Sequence, residues 1–242
     1  MDNRVLVKSK IIDKINIYEK TGEVQATNFL DPLDIVENAP IYNKYLFLLY
    51  GGKEEAERKR LIIGSDCIED AKEFVSAIKI ESNKKLGHRD VLGSILGLGL
   101  VRDVIGDIVI DETKAYVFVN SEIKDYIINN LKMIGKEKAI VTACDLDEIN
   151  DIKEKFEIQN FTLSSLRIDS AISECYGLSR AVSSRLIESE KVKLNYRLVT
   201  NSSKSIKQGD LISVRGYGRF IIEEVIGETR KGRIRVTIKK YV

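Results

Sequence analysis

The sequence predicts an α+β protein built from several small domains. The chain has 242 residues, which is enough for one large domain or for two to three small ones. In its middle, alternating apolar and polar residues predict strands beside amphipathic helices. Its last third instead shows two short helical patterns followed by a small β-unit. Together these patterns favour a multi-domain α+β fold.

The N-terminal region is expected to be an α-rich α/β domain over 1–82. Asp31-Pro32 is a good helix start, because a carboxylate cap precedes a proline whose missing N–H costs nothing there. Pro40 marks a break or a second helix start. The remaining patterns predict helices over 41–52 and 53–60, a strand over 61–64, a short helix over 68–74 and a strand over 73–81.

The middle region, 83–160, is expected to be an α+β sheet domain. The patterns predict a helix over 88–99, two strands within 107–120, a helix over 121–135 and a strand over 138–144. Ser121 caps the second helix in this reading, and Gly135 ends it. The charged segment 145–161 mixes connector with strand. This order predicts a small open sheet with helices on one face.

The C-terminal region, 161–242, is expected to contain two short helices and a β-unit. Ile168, Ala171, Ile172 and Cys175 follow the helical i, i+3, i+4, i+7 spacing, and Gly177 terminates that helix. The following patterns predict a second helix over 179–189, strands over 191–195, 198–200 and 211–214, and a hairpin over 221–240. In the last strand, alternation places Ile234, Val236 and Ile238 on one side and Arg233, Arg235 and Lys239 on the other.

Charge is distributed unevenly along the chain. The net charge is +2, but residues 165–242 carry 16 Lys/Arg against 8 Asp/Glu, a net of +8, which leaves −6 for the rest. A basic C-terminal third on an acidic body is typical of a protein that binds a polyanion. The alternative is a domain that is merely well solvated.

Composition also narrows the class of protein. Hydrophobic residues make up 43% and charged residues 31%, as in ordinary soluble proteins. No apolar run approaches the roughly 18 residues needed to span a membrane, and the charged N-terminus does not resemble a secretory signal. Cys67, Cys144 and Cys175 lie far apart, which suits a reducing cytosol better than a metal site or a disulfide framework. We therefore expect a cytoplasmic protein without a cofactor or a metal.

The second C-terminal helix carries the best candidates for polyanion contacts. Arg180 and Arg185 are suited to phosphate, because the planar guanidinium can donate to two oxygens at once. Tyr217, between two glycines, could stack on an unpaired base or pack within a hairpin. The full candidate set for contacts with a polyanion is Ser179, Arg180, Ser184, Arg185, Lys191, Lys193, Asn195, Arg197, Arg215, Tyr217 and Arg219. Weaker candidates are His88, Arg89, Arg102, Arg233 and Arg235.

Simpler explanations exist for these arginines. Arg180 and Arg185 could pair with Glu188 and Glu174 as surface ion pairs, which contribute little. Arg167-x-Asp169 could be an ion pair within the domain that orients the first helix.

The C-terminal pattern resembles the S4 RNA-binding domain. The resemblance is carried by Arg167-Ile168-Asp169, Leu178-Ser179-Arg180, Leu186-Ile187, Val192-Lys193-Leu194-Asn195, and Gly209-Asp210 before Ile212 and Val214. Two positions depart from the family pattern, since Glu190 and Tyr196 stand where glycine is usual. The second departure predicts a bulged or longer turn in place of the Asn-Gly type.

The whole chain resembles the bacterial YlmH family through FLDPLDIVE, LGHRDVLGSILGLGLVRDVIGDI and SVRGYGRF. This resemblance implies a middle RNA-binding domain, a C-terminal S4-like domain and a non-enzymatic, ribosome-associated protein. Its implied partners are structured RNA, either rRNA or tRNA, and the large ribosomal subunit. The implied process is rescue of stalled translation, and older descriptions link relatives to cell division.

Two other classes of function remain open. An RNA-modifying enzyme, either a pseudouridine synthase or a methyltransferase, could use an S4 domain for targeting. The only near match to a synthase motif, Leu166-Arg167-Ile168-Asp169, begins the S4-like helix itself, and no glycine-rich loop suits a methyltransferase. A protein-interaction scaffold that uses the acidic N-terminal region is the third class.

Overall fold

The computed structural model describes residues 3–149 and 156–241, and the chain divides into two compact units, 1–153 and 154–242. Unit 1 contains, in order, α1 (Asn3–Thr21), β1 (Gln25–Leu30), α2 (Pro32–Tyr42), β2 (Phe47–Tyr50), β3 (Lys59–Ile63), α3 (Ile68–Phe74), β4 (Val75–Ser82), α4 (His88–Leu96), β5 (Ile105–Asp111), β6 (Lys114–Asn120), α5 (Lys124–Asn130), β7 (Met133–Ile134) and β8 (Glu137–Cys144). Unit 2 contains β9 (Phe156–Leu163), α6 (Ile168–Tyr176), α7 (Arg180–Glu188), β10 (Val192–Leu194), β11 (Arg197–Leu198), β12 (Leu211–Val214), β13 (Gly218–Glu228) and β14 (Ile234–Tyr241).

These elements form three antiparallel sheets among the described residues. Unit 1 holds a sheet of order β1-β3-β2 and a sheet of order β5-β6-β4-β8-β7. Unit 2 holds a sheet of order β11-β10-β12-β13-β14-β9. The predicted mixed α+β, multi-domain fold class is confirmed.

The five-stranded sheet matches the expected middle sheet. The two predicted strands and the predicted strand over 138–144 are β5, β6 and β8. Val91 and Ile95 of α4 and Ile127 of α5 are buried in one cluster with Ile78 and Val117 of the sheet. Both helices therefore pack on one face, as predicted. The helix expected over 121–135 is shorter, since α5 ends at Asn130 and the chain turns at Gly135, whose φ is +59°.

The helix predicted over 41–52 is wrong. Helix α2 continues through Pro40 to Tyr42, and 47–50 form β2, which pairs with β3. A short apolar run that ends in glycine suits a buried strand as well as a helix, and periodicity does not separate the two. Strand β1 was not predicted.

The helix predicted over 53–60 is also wrong, although its residues favour helices. The backbone N–H groups of Glu57 and Arg58 donate to the carboxylate of Asp107, over 2.8 and 3.1 Å. The Arg58 guanidinium donates to the carbonyls of Phe29 and Ile105, each over 3.1 Å. Tertiary hydrogen bonds thus replace those of a helix.

The three-domain division stays a prediction, and two strands do not fit its boundaries. Strand β4, just before the boundary at 82, lies at the centre of the five-stranded sheet. Strand β9 spans the boundary at 160 and pairs along its whole length with β14. Of the predicted connector 145–161, residues 150–155 lie outside the described residues.

Candidate nucleic-acid interface

Helices α6 and α7 of unit 2 pack through the apolar positions that their spacing predicts. Ile168, Ala171 and Ile172 are fully buried, as are Ser183 and Ile187 of α7. Because a helix turns 100° per residue, the side of α7 opposite Ser183 and Ile187 faces solvent. Arg185 lies on that exposed side.

A tight connection fixes the start of α7. Gly177 ends α6 in the left-handed conformation, with φ +62°, and its N–H donates to the carbonyl of Ser173. The Ser179 hydroxyl then accepts a hydrogen bond from the N–H of Val182, over 3.3 Å, and so caps α7 as predicted. Ser179 therefore has a structural role at the helix start.

Asp169 anchors Arg180, and this anchor was missed at the sequence level. The Asp169 carboxylate is 4% exposed and lies 2.8 Å from an Arg180 nitrogen and 3.0 Å from an Arg167 nitrogen. Burial alone would raise the pKa of Asp169, but hydrogen bonds from Arg167 and Arg180 hold it below its ordinary value. Arg180 thus pairs with Asp169 and not with Glu188, while half of its side chain (49%) stays exposed.

The ion pair expected between Arg167 and Asp169 is present. Its position in the first turn of α6 supports the orienting role proposed for it. No sequence spacing signals the Arg180 contact, because Asp169 and Arg180 lie on different helices.

Glu190 keeps the geometry of the glycine that it replaces. It connects α7 to β10 with φ +58°, a left-handed conformation that is rare for residues other than glycine. Its N–H donates to the carbonyl of Ile187, and the next N–H, of Lys191, donates to the carbonyl of Leu186. The helix-to-strand turn is therefore tight despite the substitution.

The longer or bulged turn predicted at Tyr196 is wrong. Leu194 pairs directly with Arg197, so Asn195 and Tyr196 form a two-residue turn. Their φ values are +48° and +67°, as type I′ turns require. A tyrosine thus takes the place that glycine usually fills.

The Asn195 side chain is engaged within the unit, which argues against its predicted RNA contact. Its amide donates to the carboxylate of Asp210, and its side-chain oxygen accepts from the N–H of Leu211, each over 2.9 Å. Asp210 is buried and also accepts from the N–H of Lys207. These bonds use Asn195 to hold the turn against β12.

Three exposed cations lie in the last turn of α7, in the segment that follows it and in the β12–β13 turn. Arg185 lies in the last turn of α7, and Lys191 follows two residues after its cap. The N–H of Arg215 donates to the carbonyl of Lys191 over 2.8 Å, so the two backbones are adjacent. No carboxylate in the described part of the chain pairs with Arg185, Lys191 or Arg215. We call these three residues the helix-side cluster. Ser184, one residue before Arg185, is half-buried.

Tyr217 is both packed and exposed. It lies in the turn between β12 and β13, and its ring centroid is 5.4 Å from that of Tyr176. Its exposed fraction is 42%. The ring is therefore held against Tyr176 with part of its surface accessible, which fits both predicted roles.

The remaining basic candidates of unit 2 lie in the strands of the sheet or, for Arg233, just before β14. Lys193 and Arg219 both pair with Ser213 of β12, so they lie on one face of the sheet. Arg197, in the edge strand β11, is exposed. Arg235 is an exposed residue of β14. Arg233 donates to the carbonyl of Thr162 and pairs with Glu174 over 3.3 Å.

The weaker candidates of unit 1 separate into two kinds. His88 and Arg89 begin α4, and Arg89 is exposed. Arg102 is directed inward and donates to the carbonyls of Ile105 and Gly106. Burial, with a further contribution from Arg58, lowers the pKa of Arg102 to about 10. Arg102 therefore has a structural role, which argues against its predicted RNA contact.

No group of three or more His, Cys, Asp or Glu is arranged to hold a metal ion in 3–149 and 156–241. No described helix combines the length and the apolar character needed to cross a membrane.

The fold is that of a multi-domain α+β protein, and its middle part matches a family of putative RNA-binding domains. Residues 72–148 match the family model described as "Putative RNA-binding domain in YlmH". The chain is 31% identical over 93% of its length to Ribosome-associated protein quality control protein P2 of Bacillus subtilis, and the match covers 90% of that protein.

The chain belongs to the YlmH family. A solved structure, Cell division protein ylmH from Streptococcus pneumoniae, has a similar fold, with a TM-score of 0.54 and 21% identity. The match covers 62% of this chain and 96% of that one. The predicted family resemblance is confirmed.

Proposed function

We propose that this protein binds structured RNA without catalysing a reaction on it, and that its RNA is rRNA or tRNA on the large ribosomal subunit. The observation that carries the proposal is the helix-side cluster. Arg185, Lys191 and Arg215 are exposed and have no carboxylate partner among the described residues, and the backbones of Lys191 and Arg215 are hydrogen-bonded to each other. Such cations suit a phosphate backbone, whose contacts follow shape more than sequence.

The family supports the cellular setting of the proposal. The Bacillus subtilis relative is named as a ribosome-associated quality control protein, and the matched family model is described as a putative RNA-binding domain. We infer a role in rescue of stalled translation in the cytoplasm. Unit 2 would act as an S4-type module, since its helix pair and β-unit occur in the order that this resemblance implies.

The structure gives an argument against the pseudouridine synthase alternative. That reaction would need an accessible catalytic aspartate, and Asp169 is the candidate in the nearest motif. Asp169 is 4% exposed and is bonded to two arginines of its own unit. We assign it to holding the helix pair together.

Co-sedimentation with separated ribosomal subunits tests the proposal. The variant Arg185→Glu/Arg215→Glu should lose binding to the large subunit while it stays folded, because both side chains are exposed. The matched control is Arg230→Glu/Lys231→Glu, which makes the same charge change in the turn between β13 and β14. Equal losses in both variants, or a large-subunit affinity that the helix-side variant leaves unchanged, would contradict the proposal.

A further inference from the structure

The six-stranded sheet of unit 2 has one face that α6 and α7 do not cover. Phe220, Ile222, Val236 and Ile238 are fully buried in the same cluster as the two helices. Because side chains alternate along a strand, their neighbours lie on the opposite side of the sheet. We call that side the outer face.

Basic and aromatic residues form a row across the outer face. Lys193 pairs with Ser213, and Ser213 pairs with Arg219. The Arg219 guanidinium carbon lies 3.9 Å from the ring centroid of Tyr241, and Tyr241 pairs with Phe156. The row therefore extends from β10 to β9, two strands that are distant in sequence.

Cations and rings are interleaved at the β9 end of this row. The Phe156 and Tyr241 rings meet edge to face, with centroids 4.9 Å apart. The Lys239 ammonium lies 4.0 Å from the Phe156 ring centroid. These contacts place two cations and two aromatic rings in one continuous layer on the sheet surface.

The surroundings of this layer are apolar and exposed. Ile158, two residues after Phe156 on the same side of β9, is 67% exposed. Leu198, which pairs with Lys193, is 55% exposed. Two acidic residues of β13 lie toward the β13–β14 turn: Glu224, which pairs with Thr237, and the exposed Glu223, which stands between Ile222 and Glu224 where the register shifts. The half that contains Phe156 and Tyr241 is therefore basic and apolar.

We propose that this outer face is a second RNA-contacting surface, and that it binds unpaired nucleotides by stacking. This inference goes beyond the proposed function. The outer face is separate from the helix-side cluster, and it would bind unpaired nucleotides instead of folded RNA. The positive charge matches a polyanion, and aromatic rings and guanidinium planes both stack on bases. Such stacking tolerates any sequence, since every base has a flat π-face.

Binding of a fluorescein-labelled, unstructured oligo-uridine RNA to the full-length protein tests this surface. The variant Arg219→Gln/Lys239→Gln should weaken binding about tenfold or more, through lost stacking and phosphate contacts. The control Arg230→Gln/Lys231→Gln removes the same charge from the turn between β13 and β14 and should change affinity less than about twofold. Thermal unfolding of each variant verifies that it is folded.

A measurement on the unmodified protein removes any dependence on the variants. After ultraviolet irradiation with oligo-uridine, mass spectrometry should find crosslinks on the peptides that contain Phe156 and Tyr241. Crosslinks confined to α7 or to unit 1, no binding of oligo-uridine, or equal affinities for the outer-face and control variants would each overturn the proposal.

The two proposals fail separately. The helix-side variant Arg185→Glu/Arg215→Glu should lose the large subunit and still give the outer-face crosslinks with oligo-uridine. The variant Arg219→Gln/Lys239→Gln should show the opposite pattern. A helix-side variant that loses both the subunit and the outer-face crosslinks would contradict the assignment of two surfaces.

Discussion

At the residue scale, the arginines of α7 have different roles. Arg180 is held by the buried carboxylate of Asp169, whereas Arg185 is exposed and lacks a carboxylate partner among the described residues. Sequence reasoning treated the two as equivalent phosphate contacts, because an intrahelical pattern does not reveal a contact with another helix. Removing Arg180 takes away one of the two guanidinium groups that pair with the buried Asp169 carboxylate, which costs more than losing an exposed charge.

This difference gives a first prediction. Arg180→Gln should lower the free energy of unfolding by about 1–3 kcal/mol and also weaken RNA binding. Arg185→Gln should weaken binding and change the free energy of unfolding by less than about 0.5 kcal/mol. Chemical denaturation and RNA titration of the two variants provide the measurement, and equal stabilities would refute the anchoring role of Asp169.

The lowered pKa of Asp169 predicts that the stability of the protein depends on pH. This pKa is lower in the folded protein than its ordinary value of 3.8, so the ionised carboxylate stabilises the fold. That stabilisation is complete above the ordinary pKa and is lost as the pH falls through the lower, folded value. Asp169→Asn should therefore be less stable at neutral pH, and its stability should fall less than that of the natural protein below about pH 4. Denaturation at several pH values measures this, and parallel pH profiles would exclude the assignment.

At the element scale, the helices and strands of unit 2 follow local sequence signals closely. Both helices, the Ser179 cap and the Gly177 terminator are where periodicity and capping rules place them. The turn at Asn195 was predicted wrongly, because its backbone is fixed by Asp210 and Leu211 from a distant segment. In unit 1, the segment 53–60 is likewise held by Asp107, fifty residues away along the chain. Local patterns do not contain such contacts.

The turn at Glu190 allows strain to be separated from charge. Glu190→Gly should stabilise the protein by about 0.5–1 kcal/mol, since glycine adopts φ +58° without steric cost. Glu190→Gln retains the backbone strain and removes only the negative charge next to Lys191. Both variants should bind RNA more tightly, but only the glycine variant should unfold at a higher denaturant concentration. Equal stability of the two would argue against strain at this turn.

At the scale of the whole molecule, two compact units carry different evidence for function. The match to the RNA-binding family model covers 72–148 in unit 1, whereas the excess of basic residues lies in unit 2. The fold class, the middle sheet and the basic C-terminal third could be read from sequence patterns. The pairing of β9 with β14 could not, because strand order depends on contacts between distant segments. The outer face includes residues of both strands, so the sequence alone predicted only part of it.

The central claim is that the helix-side cluster contacts phosphates of ribosomal RNA or tRNA. The most direct measurement is the affinity for the large ribosomal subunit across a salt series, for the natural protein and for Arg185→Glu/Arg215→Glu. Each phosphate contact contributes roughly 0.7–0.9 to the slope of log affinity against log salt concentration. The account predicts a weaker affinity for the variant and a slope that is shallower by about 1.4–1.8, with the slope of the Arg230→Glu/Lys231→Glu control unchanged. An identical slope for all three proteins would contradict it.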